Sequence, residues 1–581
     1  MNRYNKYIFL NSILYFLYCE IKHFFRFFKY YFNLFIYVNF FKYLVHKKKD
    51  FNIINNIIAK QALKKNYNFW KKFVKQNESN NEILVTSLVS LKAYSIYNCV
   101  IGLNISKNYN KNIAGLINEY DFKNEIFMRS FGIEKIYYIP EGNFFSRFKF
   151  FLKAIKLTKN IKKIEDLLNL KHENIDIGKV TYDHWIRFTG IGSADSIDSK
   201  IVYFLSIALL VQNFSKQLFK SNSFKHVVQS ETQFIPSSIV FQNSLINNCN
   251  VYSRIGISNK MSVMIYNDIK DKYTQRYCFS KNLFELIYNN YRNKIFDKTN
   301  EIIIKRFLDI PEYAVDHNIE ENMDHKFEIQ ENLNNNYSKS DLCEKFNWDT
   351  NKPIVVIFSN DLTDGVFKVN WNLFKDNLTG IQETLSIIKE IKHINWLVKP
   401  HPNDIKNNVV TSTEKEVVKL SKLFENIRLF PKNFGNKPLP EIISSAVTMG
   451  GSVGYEYPSL GIPAIICTGT FYSGRGFNHE AHTIEEYKKM LKNADKLGPL
   501  SEEQISKAKI FIYIYSVLTK VYSPILPAKK PVKKDYEELS FWKDFETLIE
   551  NYEIEKDDFY NNFKIQLEKS DRHTINYNLI R

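Results

Sequence analysis

The sequence predicts an α/β protein built from two Rossmann-like, doubly wound domains in series, and three observations lead there. Short apolar runs ending in small or polar residues alternate with stretches of helical length, the pattern of βαβ units. The alternation occurs twice, on either side of an acidic, Asn-rich stretch at about 312–351 that reads as a linker. Composition agrees: 44% hydrophobic and 24% charged residues are ordinary globular usage, which excludes a disordered or collagen-like chain. At roughly 150 residues per domain, 581 residues leave room for terminal segments besides. The 47 Phe and 36 Tyr, with abundant Asn, Lys and Ile, read as compositional bias, so no single aromatic or lysine is taken as a functional clue.

Residues 1–75 stand apart. They hold fifteen Lys and Arg against Glu20 and Asp50, so +13 of the net +18 lies there and only about +5 in the rest. Their apolar runs, Tyr7–Cys19 and Tyr30–Phe41, are shorter than the roughly 20 residues a spanning helix needs. Lys22, Arg26, Lys29 and Asn33 follow at i, i+4, i+7 and i+11 among phenylalanines, which describes a helix lying in a lipid interface. Lys47-Lys48-Lys49 would add attraction to anionic headgroups. The alternative is a helical hairpin packed on the body. On the first reading residues 1–49 bind an anionic membrane surface, at the inner face of the cytoplasmic membrane, and are removable without loss of the body's fold.

The first domain, 80–311, opens with a buried strand at 82–88. Further strands are read at 135–140, 226–231 and 251–254, and helices at about 144–170 and 198–222. The second, 352–525, has strands at 353–358, 396–399, 426–429, 446–449 and 464–467, with a helix around 374–392. Beyond 525 the chain turns charged, with Lys529-Lys530-Pro531-Val532-Lys533-Lys534, and reads as a helical tail over 526–581. Six scattered cysteines with no CxxC pair argue against a zinc ribbon or disulfide framework and suit a reducing cytoplasm.

In doubly wound sheets ligands bind at the carboxyl ends of the strands. Three segments of the second domain end there: Ser359–Gly365, with Asp361 and Asp364; Lys399-Pro400-His401-Pro402; and Gly450–Glu456. In the third, Gly451, Ser452, Val453 and Gly454 follow a strand and open a helix, so backbone N–H groups and the helix dipole can meet a phosphate. Glu456 is placed to reach ribose hydroxyls. His401, held between two prolines, can donate to a phosphate, and Lys399 adds charge beside it. A tight βα turn and a strand-capping histidine are the alternatives for these two segments. No His/Cys cluster or HExxH demands a metal, and no cofactor is expected.

The succession Trp396–Pro402, Gly451–Glu456, Leu460-Gly461-Ile462-Pro463-Ala464 and Phe471–Phe477 resembles the capsule polysaccharide biosynthesis proteins, GT-B glycosyltransferases that include bacterial β-Kdo transferases. Ile177–Asp183, with Arg187 beyond, also looks like a stretch of surface-carbohydrate relatives. The resemblance implies an inverting, metal-independent sugar transfer. The second domain would bind a CMP- or UDP-linked sugar and the first a glycan or lipid-linked glycan acceptor, across a central cleft. It carries over His401 and the Gly-Ser segment as phosphate contacts and Glu456 as the ribose contact. Asp361, Asp364, Tyr472 and Arg475 fall in the vicinity of the donor sugar, although Arg475 stands where the pattern has a bulky aromatic. No general base is carried over. Asp183, Glu231 and Asp195 are candidates from the first domain, as carboxylates near expected strand ends or loops, with Asp361 and Asp364 of the second domain as alternatives.

Two other readings stay open. Sugar 2-epimerases and glycerophosphate-polymer transferases share the architecture, and an epimerase turns over donor without acceptor. A nucleic-acid-binding or scaffold role would use the basic end, but the near-neutral body carries no nucleic-acid motif, so no nucleic-acid partner is expected.

Overall fold

The computed structural model describes residues 3–38, 51, 54–74, 82–89, 92–256, 259–307, 336–406, 410–526 and 539–580. Among them are thirteen strands. Six come early: β1 (Ile83–Ser87), β2 (Ile113–Asn118), β3 (Ile136–Ile139), β4 (His226–Val228), β5 (Asn250–Ile255) and β6 (Lys260–Tyr266). Six follow: β7 (Ile354–Phe358), β8 (Asn395–Lys399), β9 (Ile427–Leu429), β10 (Ser445–Thr448), β11 (Ala464–Ile466) and β12 (His479–Glu480); β13 (Val521–Tyr522) comes last.

They form two sheets. The first has the order β13-β6-β5-β4-β1-β2-β3, parallel from β3 to β5 with β6 and β13 antiparallel at the edge. The second is fully parallel, β12-β11-β10-β7-β8-β9. Numbered within its own series, the second sheet reads 3-2-1-4-5-6, the doubly wound dinucleotide-fold order, and the first repeats it through its fifth strand. The central strands β1 and β7 are buried almost throughout, which is why they read as continuous apolar runs. Helices between strands begin on side-chain caps: Asp198 accepts from Ile201 N at 2.7 Å, and Asp376 from Thr379 N at 2.7 Å.

The chain divides into two compact units: Met1–Trp185, Asp195–Lys272 and Thr519–Leu579 in the first; Ile186–Ala194, Tyr273–Leu518 and Ile580–Arg581 in the second. Several expected boundaries are corrected by this. The helix Lys281–Phe307, placed by sequence in the first domain, belongs to the second unit, where Arg475 lies over the Phe284 ring. The helix Lys339–Phe346, placed in the linker, starts on a Ser338/Asp341 capping box and buries Leu342 and Cys343 in the second unit. The remaining linker, 308–335, lies outside the described residues, as do Lys47-Lys48-Lys49 and the Lys529–Lys534 run.

The C-terminal stretch is not a tail. Helix Leu539–Glu550 sends Trp542, Phe545 and Ile549 into the first unit's core, against Trp70, Phe127 and Phe131. Lys65 pairs with Glu546 and Glu550. Asp557 accepts from Ser523 Oγ, Tyr552 Oη and Phe559 N, all within 2.8 Å. The charged sequence masked an apolar stripe at helical spacing.

The N-terminal segment is likewise part of that unit. Instead of two runs it is one continuous helix, Arg3–Tyr37, packed on the helices Phe144–Thr158 and Ser199–Ser221. Phe16 and Leu34 are 1% and 0% exposed. Residues 1–49 therefore cannot be removed without opening the core. Among the described residues one helix is long and apolar enough to cross a membrane, Ser199–Ser221, and 67% of its apolar window is buried inside the protein.

Candidate functional site

In the second sheet the strand order reverses between β7 and β10, and the loops leaving their carboxyl ends lie side by side. Asp361, 8% exposed, organises the loop after β7. One carboxylate oxygen accepts from Thr363 N and Thr363 Oγ1, each at 2.8 Å; the other accepts from Asn403 Nδ2 at 3.0 Å and lies 3.9 Å from the Arg187 guanidinium. The Asn377 amide donates to its backbone carbonyl at 2.8 Å. Asp361 thus positions a loop as well as carrying charge. Asp364 lies outside this knot, pairing with Lys368.

His401 follows β8 between its two prolines, half-buried. Its backbone N–H donates to Ser359 Oγ at 2.9 Å, tying the β8 loop to the β7 loop. Its Nδ1 accepts from Asn403 N at 3.2 Å, so the neutral ring carries its proton on Nε2, which makes Nε2 the donor. Three residues on from His401, Asp404 is 5% exposed, and Leu362 N donates to it at 3.5 Å. Burial, reinforced by Asp361, pushes its carboxyl up to about 6. Asn403 and Asp404 were not singled out from the sequence, and Arg187 was noted only beside the Ile177–Asp183 stretch, not at this site. The signal for the first two was present, as Asn-Asp directly after the proline at the start of a helix. Lys399 turns the other way, lying 4.4 Å over the Phe430 ring and donating to Asn436.

After β10 the chain makes a close approach to its neighbours. Gly450 has φ +124°, and a side chain there would also meet Thr468 and Thr470 within 2.9 Å. Gly451 N donates to Thr448 Oγ1 at 3.0 Å, and Thr448 donates at 3.5 Å to Asn360, so the β10 and β7 loops are tied. A Cβ on Gly454 would sit 2.3 Å from Tyr472 Oη, whose hydroxyl donates to Gly451 O at 2.6 Å. Tyr472, fully buried, is a brace beneath the glycine loop, and burial holds its hydroxyl far above the usual tyrosine range. Arg475 donates to Phe279 O and lies 5.1 Å over Phe284. Both side chains are thus engaged in packing contacts beside the glycine loop. The helix expected after the glycines is a single turn, Val453–Glu456, so its dipole is weaker than a long helix would supply. Ser452 begins that turn and the half-buried Glu456 ends it.

The first sheet has the matching reversal between β1 and β4, held by neutral groups. Ser87 and Ser95 hydroxyls are 2.6 Å apart, Ser95 donates to Asn124 at 3.0 Å, and Asn98 to Thr86 O at 2.8 Å. Ser230, after β4, donates to Asn98. Sequence reasoning missed this layer because its members come from distant segments. Glu231 follows directly, half-buried, its carboxylate accepting from Gln233 N at 2.8 Å. Asp195 is exposed in the 190–198 loop. Asp183 is not near a strand end: it lies within the helix Ile177–Thr189 and is 4% exposed. Its neighbour His184 accepts from Ile235 N at 3.2 Å, and burial lowers its pKa to about 3, which keeps the ring neutral. Gly178 explains the local fold, since a Cβ there would collide with the Leu167 carbonyl. Among the described residues no group of three or more His, Cys, Asp or Glu is arranged to hold a metal ion.

No family model and no curated protein sequence matches the chain. Several solved structures are similar to it. The KpsC β-Kdo 2,4-transferase of Thermosulfurimonas dismutans is 12% identical with a TM-score of 0.30, covering 52% of this chain and 82% of its own. The UDP-GlcNAc 2-epimerase of Neisseria meningitidis, bound to UDP-GlcNAc, is 11% identical with a TM-score of 0.22, covering 74% and 98%. The wall teichoic acid polymerase TagF is 14% identical with a TM-score of 0.20, covering 70% and 98%. This chain has two Rossmann-like domains. That statement stands on its own strand orders and hydrogen-bonded registers.

Proposed function

We propose that the protein is a glycosyltransferase that moves a sugar from a nucleotide-activated donor to a growing surface polysaccharide of capsule or lipopolysaccharide type. One observation carries the reading: at the β7/β10 reversal, His401, Asp361, Arg187 and a glycine loop with no room for a side chain at Gly450 or Gly454 converge on the place where such sheets bind nucleotides. The His401 Nε2 proton and the backbone of the Gly450–Gly454 loop would meet the diphosphate or phosphate of the donor. Charge building on the departing nucleotide is then met by groups already in place. The donor is CMP- or UDP-linked, and the acceptor is a glycan or lipid-linked glycan. Glu231, at the carboxyl edge of the first sheet, is the general base assigned to deprotonate the acceptor hydroxyl.

The test is a thermal titration of the full chain with CMP, UDP, GDP and CDP, since both terminal segments belong to the core. One nucleotide should stabilise the protein, and His401→Ala should abolish that effect while leaving the ligand-free melting temperature in place. A second reading is favoured by Asp404, whose carboxyl at about 6 is in the range of a proton-abstracting base. On that reading the enzyme is a nucleotide-sugar epimerase like one of the similar structures. Turnover of donor with no acceptor present would establish it, and its absence would leave the transferase.

A further inference from the structure

Helix Arg3–Tyr37 carries two apolar faces, and only one of them is in the core. Ser12, Phe16, Cys19 and Leu34 recur along one face, and none is more than 6% exposed. Leu14, Leu17, Ile21, Phe24, Phe28 and Phe32 recur at the same spacing along another, and each is 46–65% exposed. This second stripe is about 27 Å long at 1.5 Å per residue. Exposed Lys22, Arg26 and Lys29 follow one edge of it, offset by roughly a third of a turn.

Helix Phe144–Thr158 repeats the construction. Phe150, Phe151 and Ala154 are buried, while Phe144, Phe145, Phe148 and Leu152 are 39–80% exposed. Lys149, Lys153 and Lys156, all exposed, run beside them at i, i+4 and i+7. The two helices are joined: the Phe16 ring stacks on Phe151 at 4.6 Å, and Glu20 pairs with Arg147. Glu141, just ahead of the second helix, pairs with His23 and Arg26 at 2.9 Å each. Both acids are taken up internally, and the two helices hold nine Lys and Arg against Glu20 alone.

Two exposed aromatic and aliphatic stripes, each edged with lysine or arginine, exceed the scattered apolar exposure normal on a soluble surface. A second copy of the chain fits poorly, because a two-fold contact would set two strongly basic surfaces against each other. We propose that the helices Arg3–Tyr37 and Phe144–Thr158 together form a docking face for an anionic lipid bilayer, with apolar side chains entering the headgroup boundary and the basic edges meeting the lipid charge. The docking face is then part of the folded first unit and not a detachable leader.

Flotation of the full chain tests this, using phosphatidylcholine vesicles and mixed phosphatidylcholine–phosphatidylglycerol vesicles. The wild-type protein should float with the mixed vesicles and be released as salt is raised. Lys149→Glu with Lys153→Glu should weaken binding on the order of fivefold for each charge lost. Phe145→Ser with Leu152→Ser should weaken it by about tenfold or more. These positions are exposed, so melting temperature and nucleotide response should not change, which separates this result from the donor-site assignment. Wild-type flotation by the second-helix variants, or equal flotation on neutral vesicles, would overturn the proposal. So would a vesicle-free dimer that Phe24→Ser with Phe28→Ser splits, since that would assign the face to a second copy.

Discussion

The two sheets follow the same strand order through five strands, yet their reversal points are furnished with different chemistry. At β7/β10 the loops are knotted by ionisable groups, with Asp361, Arg187, His401 and Asp404 around a glycine turn. At β1/β4 the equivalent layer is Ser87, Ser95, Asn98, Asn124 and Ser230, hydroxyls and amides in two short hydrogen-bonded runs, Ser87–Ser95–Asn124 and Ser230–Asn98–Thr86 O. One scaffold thus carries two kinds of chemistry at its strand ends, and the loops decide which. A guanidinium and an imidazole N–H beside close backbone suit a phosphate; the hydroxyls and amides at β1/β4 are buried and satisfy one another.

The largest break in this comparison is expected from Glu231→Gln. If the first unit's edge supplies the general base, turnover should fall about 10²–10⁴-fold while the nucleotide-induced shift in melting temperature stays whole. A parallel loss of nucleotide binding would show that the two edges do not divide the work. Asp361→Ala comes next. It removes a buried carboxylate that accepts three hydrogen bonds within 3.0 Å, so the second unit should lose about 2–4 kcal/mol in denaturant melts.

Acid should act on the two regions in opposite directions. Asp404 has its carboxyl raised from 3.8 to about 6, so the folded protein binds the proton more tightly than the unfolded chain. Its contribution is full below about pH 4 and is lost as pH rises to about 6, a change of about 3 kcal/mol. His184 is the reverse: its pKa is lowered from 6.5 to about 3, so its contribution is present above 6.5 and is lost as pH falls towards 3. Asp404→Asn should therefore make stability rise more steeply with pH between 4 and 6, and His184→Gln should make it rise less steeply below 6.5. Urea melts across that range measure both slopes.

The smallest effect probes the glycine loop. Gly454→Ala should cost about 1–3 kcal/mol by overpacking against Tyr472. Tyr472→Phe should cost about 1 kcal/mol for the hydrogen bond to Gly451 O. Because Phe removes the nearest of the three Tyr472 atoms the new methyl meets, while the ring carbons at 2.7 and 2.8 Å remain, the double variant should recover part of the overpacking cost in a double-mutant cycle by thermal melts.

Much of this architecture was legible because buried parallel strands are apolar on both faces. β7, read from Ile354-Val355-Val356-Ile357-Phe358, is the plainest case. β2 escaped because Gly115 interrupts its run; the glycine is there for a close approach to Met128 and Ile136. The C-terminal helices were legible as helices but not as core, because their charges lie outside and the stripe of Trp542, Phe545 and Ile549 shows only at helical spacing. In the site, His401 and Asp361 were legible because each lies within three residues of a strand's end. Arg187 was not assigned to it because the 186–194 segment returns to the second unit from within the first. Tyr472 and Arg475 were legible as a motif but not as packing, since only the fold sets one beneath Gly451 and the other against Phe279.

The central claim is that the β7/β10 edge binds the nucleotide of an activated sugar. Thermal melting of the full chain with CMP, UDP, GDP and CDP tests it most directly. A nucleotide at about 100 times its dissociation constant stabilises by about 2.7 kcal/mol, a visible rise in melting temperature. The account predicts that rise for CMP or UDP and its disappearance in His401→Ala. A rise that survives His401→Ala and Asp361→Asn unchanged, or no rise with any of the four, would contradict it.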